Sequence, residues 1–144
     1  MHEPISDLMT RDHVYCDELF AAAEGAPQGD AARAAWSDYV ASMHRHFDAE
    51  EATLFPALER AAGGSLPPVR VMLMEHGQMR ELFAEIDAAA SRGDWDEVSG
   101  LAQTLLVVME QHNLKEQNVL YPMADRLLGD GSSLASRLAG LGQR

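Results

Sequence analysis

One feature constrains this chain more than any other: it contains the same unit twice. Asp12-His13-Val14-Tyr15-Cys16-Asp17-Glu18-Leu19-Phe20 aligns with Glu75-His76-Gly77-Gln78-Met79-Arg80-Glu81-Leu82-Phe83, an offset of 63 residues. Further on, His46-Phe47-Asp48-Ala49-Glu50-Glu51-Ala52-Thr53-Leu54-Phe55-Pro56 aligns with His112-Asn113-Leu114-Lys115-Glu116-Gln117-Asn118-Val119-Leu120-Tyr121-Pro122, an offset of 66. Each unit is an acid-His pair running into Glu-Leu-Phe, followed by His-x-x-x-Glu-x-x-x-Leu-Phe/Tyr-Pro. A chain built this way is expected to fold as two like hairpins with a pseudo-two-fold relation, and to place its function in two related half-sites.

The segments that carry the repeat read as helices. Three punctuation zones, Gly25–Asp30, Gly63–Pro68 and Arg92–Asp94, separate stretches rich in Ala, Leu, Met, Glu, Gln and Arg with no β-branched alternation. Each stretch carries an apolar stripe at helical spacing. The first stripe is Ile5, Met9, His13, Cys16, Phe20. The second is Trp36, Tyr39, Met43, His46, Glu50, with a ragged end. The third is Val69, Met72, His76, Met79, Phe83, Ile86. The fourth is Val98, Leu101, Leu105, Val108, His112, Glu116, Val119, Met123. Four amphipathic helices with short connections predict an all-α, up-down-up-down four-helix bundle. Leu134, Leu138 and Leu141 predict a short closing helix after it. With 144 residues the chain is expected to be one domain, residues 1–144.

Composition excludes several roles. Lys+Arg number 11 against 23 Asp+Glu, a formal net charge of -12, which is the wrong sign for nucleic acid or an anionic membrane surface. One cysteine, Cys16, rules out an internal disulfide framework. The longest apolar run, Leu105 to Met109, is too short to span a bilayer, and the first residues lack the basic and apolar regions of a signal peptide. A soluble cytoplasmic protein is expected.

What interrupts the stripes carries the chemistry. His13, His46, His76, His112, Glu50 and Glu116 occupy positions whose neighbours along each face are apolar. His2 lies in the terminal tail. His44 is two residues from His46, about 200° around the helix, and is expected to face solvent. His-x-x-x-Glu puts imidazole and carboxylate one turn apart on one face, with the lone histidine of the unit's other helix opposite. One such pair is an ordinary helix contact, and one core histidine is ordinary structure. Two buried carboxylates without partners would each cost several kcal/mol, so four His and two Glu on inward faces point to a metal. Imidazole argues against calcium and magnesium, and six converging N/O donors suit zinc's closed tetrahedral sets less well than non-haem iron. If each carboxylate bridges, each of two metals has two imidazoles and two carboxylate oxygens. A solvent oxo or hydroxo bridge would bring each to five ligands and leave a position open. Pro56 and Pro122, six residues after each glutamate, either set the exit angle of the helix or mark where it loosens.

His13, His46-x-x-x-Glu50, His76 and His112-x-x-x-Glu116, with their Leu-Phe-Pro and Leu-Tyr-Pro followers, resemble the hemerythrin-like (HHE cation-binding) family over residues 5 to 128. The resemblance implies a four-helix bundle with a carboxylate-bridged, non-haem di-iron centre (Fe2+/Fe3+). It further implies O2 binding, a response to O2 or NO, or service in repair of damaged iron-sulfur proteins. Ferritin-like bundles match less well, because they use Glu-x-x-His and here histidine leads. Oxygen carriers of the family have a fifth histidine one turn before the third-helix ligand; here that position is Met72. The four-His, two-Glu set looks like that of the repair branch, whose N-terminal cysteine-bearing domain has no counterpart in this sequence. The resemblance therefore implies a protein that binds O2 or NO for sensing, storage or protection. The alternative is an oxidoreductase or repair-type protein acting on NO, peroxide or damaged iron-sulfur clusters. No protein partner is indicated.

Overall fold

A computed structural model describes residues 3–129 together with Leu134, Arg137, Leu138 and Leu141. Every regular element among these residues is helical, in the order α1 (Ile5–Gly25), α2 (Asp30–Ala49), α3 (Phe55–Ala62), α4 (Pro67–Arg92), α5 (Trp95–Lys115) and α6 (Tyr121–Leu128). A single π turn, Glu50–Leu54, joins α2 to α3, and another, Glu116–Leu120, joins α5 to α6. The six helices thus form four rods, the helical bundle expected. Its connections obey local chemistry. Pro67 and Pro68 open α4, where no intrahelical N–H is needed. Gly93 closes it in the left-handed conformation (φ 73°), with its N–H and that of Asp94 returning to the last turn. The Asp94 side chain then accepts from the Glu97 N–H and starts α5.

The π turns correct the end of two stripes. In each, a backbone N–H reaches five residues back, from Phe55 to the Glu50 carbonyl and from Tyr121 to the Glu116 carbonyl. One extra residue in the turn rotates everything downstream by about 100° relative to an uninterrupted helix. The fourth stripe therefore does not continue to Val119, which is 44% exposed, but to Leu120, Tyr121 and Ala124, all buried. The same rotation explains the ragged second stripe, which resumes at Leu54, Phe55 and Leu58. Pro56 and Pro122 follow directly and bring no N–H to compete for the freed carbonyls. Earlier on α5, Ala102 and Met109 take the buried positions, and Leu101 and Val108 are half-buried beside them.

Two apolar layers result. One contains Phe20, Trp36, Tyr39, Met43, Phe47, Met79, Phe83, Ile86 and Leu105, so Trp36 and Tyr39 are packing residues. The other contains Ile5, Met9, Leu54, Phe55, Leu58, Val69, Met72, Leu120 and Tyr121. Leu134, Leu138 and Leu141 are helical and buried in this second layer; the remainder of the expected closing helix, like His2, lies outside the described residues. No helix among the described residues is long and apolar enough to cross a membrane. Between the layers, at the same height on all four rods, lies a band of buried polar side chains.

Candidate metal centre

The band contains all six residues singled out in the sequence. His13, His46, Glu50, His76, His112 and Glu116 are each 3% exposed or less, and each comes from a different turn of the four rods. They converge in two groups. Nitrogen or oxygen atoms of His13, His46 and Glu116 lie within 4.8 Å of one another, as do those of Glu50, His76, His112 and Glu116. The carboxylates cross between the units. Glu50 lies 3.5 Å from His46 Nε2 in its own unit and 3.1 Å from His76 Nε2 in the other. Glu116 mirrors it, 3.4 Å from His112 Nε2 and 3.1 Å from His13 Nε2.

Behind each imidazole stands a partner for its other nitrogen, again crossing between helices. His46 Nδ1 meets Asp12 at 2.6 Å, and His112 Nδ1 meets Glu75 at 2.9 Å. His76 Nδ1 meets Glu51 at 2.7 Å, and His13 Nδ1 meets the Gln117 amide at 2.8 Å. The acid of each acid-His pair therefore serves the histidine of the neighbouring helix, not its own sequence neighbour. A carboxylate accepting Nδ1–H fixes the tautomer and turns the Nε2 lone pair into the centre. Glu51 is itself held by Arg80 at 2.7 Å, and Glu75 by Lys115. His76 also stacks on Phe47, with ring centroids 3.8 Å apart.

Sequence reasoning missed these partners as well as Tyr121. The signal for Asp12 and Glu75 was present, since both belong to the repeat. Glu51 and Gln117 are also counterparts in the alignment, and so are Phe55 and Tyr121. The Tyr121 hydroxyl lies 2.7 Å from Glu50 Oε2 and 2.9 Å from Glu116 Oε1, within reach to donate its one proton to either, and its ring lies 5.4 Å from that of His13. His44 is half-buried rather than solvent-facing and packs towards α4, with its ring edge-on to Phe83 and its Nδ1 3.4 Å from Arg80 Nε.

The electrostatics call for cations. Five carboxylates, from Asp12, Glu50, Glu51, Glu75 and Glu116, surround four imidazoles, with Arg80 and Lys115 at the edge. Without a metal, protons take that role. Burial pushes the His46 pKa down, but Glu50 and the Asp12 hydrogen bond outweigh it and hold the pKa well above the usual value. For His112, burial is outweighed by Glu116, Glu50 and Glu75, and its pKa is pushed up to about 9. Burial raises Glu116, but His112 and the hydrogen bonds around it bring its carboxyl well below the usual range. Burial, then the two carboxylates, push the Tyr121 phenol well above its ordinary pKa.

The residues fit a metal by a second criterion. Glu50 Oε1, His76 Nε2, His112 Nε2 and Glu116 Oε2 are buried and have no hydrogen-bond partner among the described residues. His76 Nε2 is near Glu50 Oε1, but not along a hydrogen-bonding direction. An orphaned buried polar group costs about 1–3 kcal/mol, and four at one spot have no structural benefit unless something binds them. The imidazole and carboxylate donors suit first-row transition metals.

Comparison with known proteins agrees with this geometry. The family model described as the hemerythrin HHE cation-binding domain matches residues 5–124. No curated protein and no solved structure matches the chain.

Proposed function

We propose that this chain, which belongs to the hemerythrin HHE cation-binding family, holds two non-haem irons and binds a small diatomic molecule, O2 or NO, at them. His13 and His46 would hold one ion, His76 and His112 the other, with Glu50 and Glu116 shared. One observation carries this reading: each of the two buried carboxylates reaches imidazoles of both units. A carboxylate serving one ion has no reason to span two imidazole pairs. When bound, the irons supply redox-active positions for a small ligand. The chain's own residues do the rest. Asp12, Glu51 and Glu75 orient imidazoles through Nδ1, and the two apolar layers exclude bulk water from above and below. A groove of about 580 Å3, lined by Phe20, Met109, Leu114, Asp17 and Glu110 among others, includes Gln117, whose amide meets His13, and would offer a small molecule an approach on that side. The reading places the protein in the cytoplasm, where sensing, storage or protection is its role.

Iron analysis after anaerobic reconstitution, followed by exposure of the ferrous protein to O2 and to NO under optical recording, tests it. Two irons per chain and a long-lived spectrum that reverses under vacuum are expected. Less than about one iron per chain sinks the di-iron assignment. Fast irreversible oxidation, or catalytic consumption of NO or peroxide, supports the enzymatic or repair reading instead. Met72 favours that second reading: it stands where oxygen carriers have a fifth histidine, and it is buried in the apolar layer, leaving that donor out.

A further inference from the structure

The two halves of the centre are not chemically equal, and Tyr121 is the reason. Its hydroxyl oxygen lies 3.0 Å from His13 Nε2, 3.3 Å from His46 Nε2, 2.7 Å from Glu50 Oε2 and 2.9 Å from Glu116 Oε1. A phenol has one proton to donate and two lone pairs that can accept from the imidazoles, so hydrogen bonding accounts for at most three of these four contacts. Neighbouring donors around a six-coordinate ion with bonds of about 2.1 Å are separated by about 3.0 Å, the edge of the octahedron. All four separations fall around that edge length. The oxygen stands where a fifth donor to the same ion would stand.

Resting on the di-iron reading above, we infer that Tyr121 is itself a ligand, through its phenolate oxygen, of the iron held by His13, His46, Glu50 and Glu116. Two further observations agree. First, the unpartnered imidazole nitrogens, His76 Nε2 and His112 Nε2, both belong to the half where the counterpart of Tyr121 is Phe55. Phe55 approaches His76 with a ring centroid distance of 5.8 Å and has no donor to offer. Second, the charge is redistributed between the halves. His76 has the carboxylate of Glu51 behind it, and His13 has the neutral amide of Gln117 at the matching position. A phenolate on the His13 side restores the anion that the Gln117 amide lacks. On coordination the phenol proton leaves to water, the Fe–O bond forms, and no electron changes hands. A bound cation drives such deprotonation, as it does for a coordinating thiol. The two irons then differ. Tyr121 fills a position on one, and the matching position on the other faces Phe55 and is left for an outside molecule.

Optical and resonance Raman spectra of the ferric, iron-loaded protein test the inference. The expected result is a visible phenolate-to-iron charge-transfer band with enhanced tyrosine ring modes. Both are lost in Tyr121→Phe, while iron content stays at that of the parent because the six other ligands remain. An iron-loaded parent without the band, or a Tyr121→Phe protein that keeps it, overturns the ligand assignment and leaves the di-iron reading intact. A parent that takes up no iron overturns both. Should Tyr121→Phe fail to fold, the Raman spectrum of the parent alone decides, since phenolate ring modes are either enhanced or absent.

Discussion

At the scale of single residues, the centre works by division of labour around each imidazole. Nε2 faces the cluster, and Nδ1 is held by a group from another helix, so ring orientation is set before any ion arrives. His13 is the variation on this rule. As placed, the Gln117 amide nitrogen donates to Nδ1, which leaves the ring proton on Nε2 for Glu116. Ligation through Nε2 needs the amide turned so that its oxygen accepts Nδ1–H instead. The partners of the other three imidazoles have no such freedom. Asp12→Asn should therefore weaken metal binding by roughly ten- to a hundred-fold, the usual effect of removing a carboxylate behind a histidine ligand. Chelator competition with the purified variant measures it. His44→Ala, which alters a half-buried ring that packs on Phe83 and touches none of the six candidate ligands, should leave the affinity unchanged. Equal affinity for Asp12→Asn and the parent would mean that Asp12 does not orient His46. The acid-His pairs in the repeat made Asp12 and Glu75 visible, but not which histidine each serves. On a helix, adjacent residues diverge by about 100°, so Asp12 and His13 meet different neighbours.

At the scale of the element, the two π turns decide what lies beneath the metal layer. Regular helix would carry Glu116 to Val119 and Met123; the inserted residue brings Leu120, Tyr121 and Ala124 inward instead. Without the π turn this same sequence would not bring Tyr121 to the cluster. Deleting Asn118 removes the inserted residue, so the second π turn should become regular helix while Leu120, Tyr121 and Ala124 keep their inward orientation. Deleting Asn118 and Val119 together takes one residue too many and should rotate all three off the core by about 100°. Burial of each large apolar side chain stabilises by about 1.5–3 kcal/mol, so the expected further loss is several kcal/mol, read as a large fall in melting temperature. Asn118→Ala is the control: the side chain is exposed, and its removal should change stability by no more than about 0.5 kcal/mol. A double deletion that melts with the single one would show that the register after the turn does not decide the packing.

At the scale of the molecule, a polar layer separates two apolar layers; among the described residues it holds nine buried side chains, Asp12, His13, Ser42, His46, Glu50, Glu75, His76, His112 and Glu116. In the metal-free chain the protons held by His112 and His46 among these carboxylates set a pH dependence. The His112 pKa is raised from 6.5 to about 9, and His46 is raised in the same direction. A raised pKa means the folded state binds the proton more tightly than the unfolded chain does. The contribution is fully present below about 6.5 and is lost as pH rises through about 9. Chelation should therefore lower the melting temperature, and the metal-free protein should melt progressively lower across that window. The loaded protein should not show that fall, because under the proposed ligation its imidazoles would be neutral. Melting curves of both forms across the window check this; a metal-free protein that gains stability as pH rises through it would contradict the assignment of these protons.

Much of this protein can be read from its sequence alone. Apolar spacing and the duplicated unit determined four helical rods, their pairing into like halves, and the six inward His and Glu residues, because a helix of known period carries its buried face as a printable pattern. Tertiary structure alone decided which groups meet. That Asp12 serves His46, that Glu50 reaches His76, and that Tyr121 enters one half while Phe55 enters the other depends on contacts between rods. The local pattern cannot show such contacts. It shows which face a residue takes, and a single π turn is enough to change even that.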